Sequence, residues 1–349
     1  MKKIITLIII TLLASSAFAA TRNGVSSTYP VGMRSVAALG MGDAFYVKSD
    51  NKYAPFYNPA GLARVKRNRV DIVPFMMSAN MDTIDFVQDV IGLDFDNNTD
   101  VANMLQDYVG KPISGRVQLY PSYTRPFFTV GGYIDVSADA IASNPVLPEL
   151  NRDAYTEVGV VLGGAHSVFY DRLQLGVAGR FFYRINEKDS FTFIELSKDD
   201  FDVSWDTMNK GYNLMADLGA IYNIYHHGVN PRIGVAVNNI SIVETEDTDV
   251  PPVTLTLSAG ISPKFERLGI NTDLIIDIKD ITFSYEQDDD LPKRINIGAE
   301  ARFLRDIIAL RAGIHQGYFT AGFGIDLTYL QVDYAYYKEE IGAYSGQKS

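Results

Sequence analysis

The sequence predicts an all-β fold: a transmembrane antiparallel β-barrel of about 14 strands, 13 of them readable, with an N-terminal plug and a short helical external loop. Three observations lead there. The chain opens with an export-type segment and has no later run apolar enough to form a spanning helix. It alternates apolar and polar residues with period two from about residue 114 onward, and its strand connections alternate long and short. Composition narrows the alternatives. The 349 residues are 47% apolar and 21% charged, with a formal net charge of −11, which excludes a disordered chain. An acidic balance argues against nucleic acid as a partner, since that needs a basic stripe. No cysteine is present, so disulfides, thiol nucleophiles and Cys-ligated metal centres are excluded.

Residues 1–19 read as a cleaved signal peptide. Lys2 and Lys3 precede the apolar stretch Ile4–Leu13, and Ala17-Phe18-Ala19 supplies an A-x-A cleavage site. That stretch is far shorter than the roughly 20 residues a spanning helix requires. Losing Lys2 and Lys3 takes the net charge to −13.

Residues 20–67 are expected to form the plug. Within them, Ser35–Ala63 reads SVAALGMGDAFYVKSDNKYAPFYNPAGLA. Gly40 and Gly42 permit close approaches that a side chain would block, with Met41 between them. Pro59 fixes one φ and pushes Asn58 away from helix, and the Asn58 amide can satisfy nearby backbone groups ahead of Ala60 and Gly61. A dinucleotide loop is excluded at Gly40-Met41-Gly42, because no third glycine, preceding strand or βαβ unit accompanies it. The combination of Gly40, Met41, Gly42, Ala44 and Phe45 with Tyr57, Asn58, Pro59, Ala60, Gly61 and Leu62 resembles the opening segment of the FadL-like outer-membrane proteins. That group holds the long-chain fatty acid transporters and the PorV-type secretion proteins. The resemblance implies a hatch folded inside a 14-stranded barrel and, for the transporters, hydrophobic cargo leaving sideways into the membrane. Elsewhere the likeness is confined to barrel pattern and length. The tail lacks the aromatic-terminated last strand usual in that group.

The barrel is expected over residues 68–337, with strands at roughly 68–77, 114–126, 127–138, 155–169, 172–186, 212–226, 230–242, 252–263, 266–279, 293–304, 306–315, 318–327 and 329–337. Ile295, Ile297, Ala299, Ala301 and Phe303 oppose Asn296, Gly298, Glu300 and Arg302. Phe319, Ala321, Phe323, Ile325 and Leu327 oppose Thr320, Gly322, Gly324 and Asp326. Period alone fits a soluble sandwich as well as a barrel. Connection length separates them: 78–113, 139–154, 187–211, 243–251 and 280–292 are long, whereas those near Pro126, Tyr170-Asp171, His227-Gly228, Lys264-Phe265 and Arg305 are short. Membrane barrels show that asymmetry, with short periplasmic turns and long external loops. Aromatics such as Tyr120, Tyr123, Phe127, Phe128, Tyr334, Tyr336 and Tyr337 gather near strand ends, where interfacial girdles lie. Thirteen is an odd count against the even number usual in bacterial barrels. A strand is hidden before residue 68 or in a long loop, or a final strand is absent. The tail 338–349 is polar.

The first external loop, 78–113, carries two helical stripes: Ile84, Val87, Val90 and Ile91, then Val101, Met104, Leu105 and Tyr108. Met76, Met77, Met81 and Met104 with Leu105 form the candidate contact for a hydrophobic ligand, because thioethers adapt to irregular apolar surfaces. The same stripes would serve equally to pack the loop on the barrel rim.

On polar strand faces, Arg180, Arg184, Asp217, Glu300, Arg302 and Arg311 are expected to pair inside the lumen, where an isolated charge is costly. His166, His226, His227 and His315 form no ligand constellation, and Asp94-Phe95-Asp96-Asn97-Asn98 lacks the glycine and spacing of a calcium loop. Asp288-Asp289-Asp290 reads as a solvated acidic loop. With no G-x-S-x-G or H-E-x-x-H motif, neither an enzyme nor a cofactor is expected. The predicted role is passive uptake of a hydrophobic small molecule, such as a long-chain fatty acid, across the outer membrane, whose lipid surrounds the barrel. The alternative is a PorV-like barrel that docks a secretion-machinery protein and conducts nothing.

Overall fold

The computed structural model describes residues 32–92, 103–104, 106–143, 149–192, 208–225, 228–245, 248, 250–265, 269–284, 291–327 and 329–340. The expected signal peptide, the first residues of the plug, Asp94–Asn98, Leu105, His226, His227, Asp288–Asp290 and positions 341–349 lie outside them.

The described residues are mostly antiparallel sheet. In chain order the strands are β1 (Arg69–Asp71), β2 (Phe75–Ala79), β3 (Pro112–Leu119), β4 (Ser122–Arg125), β5 (Phe128–Ser143), β6 (Glu149–Val168), β7 (Leu173–Thr192) and β8 (Asn209–Asn223). They continue as β9 (Arg232–Val243), β10 (Thr254–Ile261), β11 (Lys264–Phe265), β12 (Ile270–Ile278), β13 (Ile295–Phe303), β14 (Ile308–His315), β15 (Tyr318–Asp326) and β16 (Gln331–Tyr336). Helices accompany them, among them α1 (Val36–Gly40), α2 (Met81–Gly92) and α3 (Leu291–Arg294), with 3-10 turns at Ala54–Phe56 and Pro59–Arg64; residues 103–104 and 106–107 are helical too.

Three of these strands are broken, and each break holds a proline: Pro74 between β1 and β2, Pro121 between β3 and β4, and Pro263 between β10 and β11. Proline donates no ladder hydrogen bond, so it interrupts pairing where it stands. β1 pairs with β4 and β2 with β3, while β3 and β4 both pair with β5; β10 and β11 both pair with β12. The sixteen segments therefore make thirteen strand positions, each hydrogen-bonded to its neighbours in chain order. Among the described residues no backbone ladder joins the first position to the last. Side chains near the two edges do meet: Arg69 of β1 lies 3.5 Å from Asp326, the last residue of β15, and Tyr337, just past β16, lies beside Ser78.

Most strand bounds fall within a few residues of those expected. The main difference is at β5–β7, where pairing runs on to Ser143↔Glu149 and Glu149↔Thr192. The β7 extension, Glu187–Thr192, is polar on both faces save Phe191, and those of β5 and β6, 139–143 and 149–154, mix small, apolar and polar residues on each face, so no clear period-two contrast marks them. One connection on the long-loop side is a tight turn, Gln316-Gly317, with φ of 51° and 89°, the backbone a two-residue hairpin requires.

The distribution of side chains is inverted relative to a water-soluble sheet. Val160, Leu162, Val177, Ile233 and Leu310 are each 50–56% exposed, whereas Asp217, Asp277, Asn213, Arg180 and Glu300 are 0–3% exposed. One sheet face is thus apolar and uncovered. The other is polar and buried, and what buries it is the N-terminal segment.

Candidate functional site between the N-terminal segment and the sheet

Residues 33–65 lie almost wholly buried against the polar face. α1 packs on β14, β15 and β16, and Thr320 Oγ1 donates to Gly40 O over 3.3 Å. The segment turns at Gly42 and Asp43, whose φ values are +66° and +56°. Glycine is needed at 42 for space as well: a Cβ there would lie 2.5 Å from Ile314 O and 2.6 Å from Ile297 O. Past the turn, Phe45 N and Tyr46 N donate to Asp277 Oδ2 at 2.6 and 3.1 Å, and Val47 N donates to Ser258 Oγ at 3.2 Å.

The sheet receives this backbone through glycines on its polar face. Gly298 and Gly313, a cross-strand pair, meet Met41 and Gly42. Gly176 and Gly219, also a pair, meet Pro59, Ala60 and Asn58. Gly322 meets Gly40, and Gly234 and Gly260 meet Val47. At Gly176, Gly298, Gly313 and Gly322 chain lies on chain, which is what a glycine on the facing strand permits, whereas Gly219 receives the Asn58 side chain and Gly234 and Gly260 that of Val47. The expected plug residues are therefore brought together: Gly40, Met41, Gly42, Asn58, Pro59, Ala60 and Gly61 are all buried. Asn58 caps the 3-10 turn that follows, its Oδ1 accepting from Ala60 N at 3.1 Å, while its Nδ2 donates to Ala220 O and Val235 O at 3.4 and 3.3 Å. Gly61 packs on Ser49.

Charge fixes the same interface. Lys48 Nζ is 2.9 Å from both Asp273 and Glu300. Arg34 pairs with Glu339 and Lys279 with Asp43, and Tyr57 donates to Asp43 at 2.8 Å. Within the sheet, Arg180 Nε and Nη2 donate to Asp217 at 2.9 and 3.1 Å. Asp217 is aimed by a bulge, where β8 and β9 slip register opposite Asn238 and Asn239. Asn239 N donates to Asp217 at 2.9 Å, and Asn238 Nδ2 reaches Tyr57 O at 3.0 Å. Glu300 accepts from Arg302 and Arg311 at 2.6 and 2.7 Å. The polar residues expected inside, Arg180, Asp217, Glu300 and Arg311, are buried, and the Arg302 side chain is 27% exposed.

The Asp43–Lys279 pair carries a pH dependence of known sign. Burial pushes the Asp43 carboxyl up, but Lys279, His315 and Arg34 outweigh it and hold it below its ordinary value. A carboxyl lowered in the folded state stabilises fully above the ordinary range near about 4, and that stabilisation is lost as pH falls through the lowered value. Residues 33–65 should therefore resist pepsin at pH 5 and become cleavable only well below pH 4, a profile read by timed digestion and mass spectrometry. Asp43→Asn should weaken the step without abolishing it, since Glu339 and Glu300 hold Arg34 and Lys48 of the same segment.

The methionines do not form one groove. Met76 is buried and Met77 is 70% exposed, because adjacent strand residues point to opposite faces. Met81 is 71% exposed at the start of α2. Met104 instead packs with Phe86 and Val109 on the buried Tyr108, Ile113 and Ala140. The stripe expected on α2 is also rotated: Thr83 and Val90 are buried, whereas Ile84 and Ile91 are exposed. Asn80 draws Thr83 inward by accepting its backbone N–H at 2.8 Å, a local cap that hydrophobic spacing does not report. The interface glycines of the sheet were legible only as small residues on polar faces; their recurrence on successive strands is the signal that a backbone lies against them. No protein-family model and no curated protein matches the chain.

Proposed function

We propose that the chain is an outer-membrane β-barrel whose lumen is filled by an N-terminal plug, and that it takes up a hydrophobic small molecule, such as a long-chain fatty acid, without energy input. The inversion of polarity carries the membrane reading. A sheet that exposes Val160, Leu162, Val177, Ile233 and Leu310 while burying paired Arg180, Asp217 and Glu300 suits lipid outside and a packed polar lumen inside. The resemblance of residues 35–63 to the FadL-like opening segment supports the same assignment, with export directed by residues 1–19.

Uptake is supported by where the wall is irregular, held at its two prolines by single bonds from Tyr120 N to Pro74 O and from Gly132 N to Pro121 O, each 3.1 Å. The breaks at Ile72–Pro74 and Tyr120-Pro121 lie beside each other, since β1 pairs with β4 and β2 with β3. Directly inside stand Phe56, Tyr120 and Tyr133, with ring centroids 5.4 and 5.6 Å apart, and Tyr53 against Tyr120 at 5.6 Å. Outside, Ile72 and Val73 are 78% and 74% exposed. A packed aromatic cluster within, a proline-marked irregularity of the ladder and an apolar surface without favour this place as a sideways route into lipid.

Vesicles containing the full chain should take up radiolabelled oleate several times faster than empty vesicles, and Ile72→Asp should slow them without changing heat resistance. Uptake equal to that of empty vesicles would sink the transport reading and leave the docking barrel.

A further inference from the structure

The short-turn end of the sheet carries a basic, aromatic patch that neither the plug nor the uptake route uses. Three consecutive elements meet there: residues 66–68 leading into β1, the β4–β5 turn at 126–127, and the β6–β7 turn at 169–172. They are consecutive because the sheet order is β1-β4-β5-β6-β7. Lys66, Arg67, Arg125 and Arg172 are all exposed. Phe127, Phe169 and Tyr170 beside them are 43%, 71% and 98% exposed. Asp71 is held by Lys52 and Arg69, which leaves Asp171 as the exposed carboxylate among the described residues of these three elements. At the opposite end the exposed charges are of both signs, Asp85, Asp89 and Asp107 beside Lys111 and Lys210. In a chain of net charge −11, four exposed cations on adjacent turns are not explained by composition.

We infer that this patch binds the phosphate groups of anionic glycerophospholipids in the leaflet facing the short turns. The inference rests on the membrane reading above. Three features select lipid over a soluble acidic partner. The patch borders the exposed apolar face at Val130, Leu162, Leu175 and Val177, so its aromatics sit where rings settle between acyl chains and headgroups. Arg125 lies over the Phe128 ring, 5.5 Å from its centroid, which places a cation and an aromatic face at one height. The cations are also spread along the rim, one turn after another, as an annulus of small ligands requires.

The test uses the full chain reconstituted in equal parts phosphatidylglycerol and phosphatidylethanolamine, extracted in mild detergent, with retained lipid read by native mass spectrometry. Each cation held at a charged surface adds severalfold to retention, so phosphatidylglycerol should be enriched about tenfold or more. A variant combining K66Q, R67Q, R125Q and R172Q should lose that enrichment, whereas one combining D85N and D89N should keep it. All six side chains are exposed, so the fold is expected to survive, and heat resistance of the band checks it. Equal retention of the two lipids, or enrichment unchanged in the quadruple variant, would overturn the inference. Binding of polyglutamate with no lipid preference would overturn it in favour of an acidic protein. Failure of the wild type to stay with vesicles through alkaline washing would instead remove the membrane reading on which it rests.

Discussion

Replacing Gly176 by valine should drive residues 58–61 off the sheet. A Cβ at this position would overlap Ala60 N and the carbonyl group of Pro59. Those are backbone atoms, with no rotamer through which to escape. Pro59 cannot give way easily, since its ring fixes φ and Asn58 ahead of it is tied to Ala60 N, Ala220 O and Val235 O. The sheet is pinned too, because Gly176 is paired with Gly219. Overpacking of a tight core costs about 1–3 kcal/mol when side chains can adjust; with backbone on both sides the effect should reach the upper end or exceed it. Lys48 reports the outcome. It is 1% exposed, so trypsin should spare it in the wild type and cut there in Gly176→Val, while the strands keep their heat resistance. Gly164→Val is the control, with nothing within 4 Å of its added Cβ. If both variants behave alike, the glycines are not what seats the segment.

How far the sequence anticipates this structure differs by element. β13–β15 alternate cleanly, and their bounds, Ile295–Phe303, Ile308–His315 and Tyr318–Asp326, sit within two residues of those read from period two. There, Ala309 apart, the large apolar residues face outward and the polar ones inward, so one face is enough to set the register. β5–β7 outrun the expectation because the added residues, at the ends of β5 and β7 and the start of β6, carry no clear polar-to-apolar alternation. Gly40, Gly42 and Asn58-Pro59 stand out locally, since turn chemistry is written in the residues that perform it. Their partners do not. That Gly42 rests on Gly313, or Lys48 on Asp273 and Glu300, depends on how thirteen strand positions are spaced around the segment, which no local window contains. Met76 and Met77 show the reverse error, in which residue type suggested a common surface that strand geometry separates. The polar residues Arg180 and Asp217 were legible as a buried set, but not as a pair, because a bulge at Asn238-Asn239 sets their alignment.

That pair yields the second large effect. Asp217→Ala should destabilise the protein by about 3–5 kcal/mol, the usual result of stripping one partner from a buried ion pair. Arg180 is 3% exposed, and after the change its Nε loses its acceptor, leaving Nη2 with Asn239 Oδ1 at 2.7 Å and Met215 Sδ at 3.9 Å. A guanidinium cannot shed its proton to escape, so it must draw in water or move. Asn239 N and Asn238 Nδ2 lose an acceptor as well, which loosens the bulge and, through Asn238 and Tyr57 O, the N-terminal segment. Removing both charges as Arg180→Met with Asp217→Leu should recover most of the loss, because the cost lies in the orphaned charge rather than in the pair's own attraction. A double-mutant cycle on urea midpoints, followed by loss of heat resistance, separates the two. Additive losses would mean that the residues act independently and that the bulge is held by other contacts. Recovery would mean that the interior selects for neutrality and fit, so an apolar lining is compatible with the same fold.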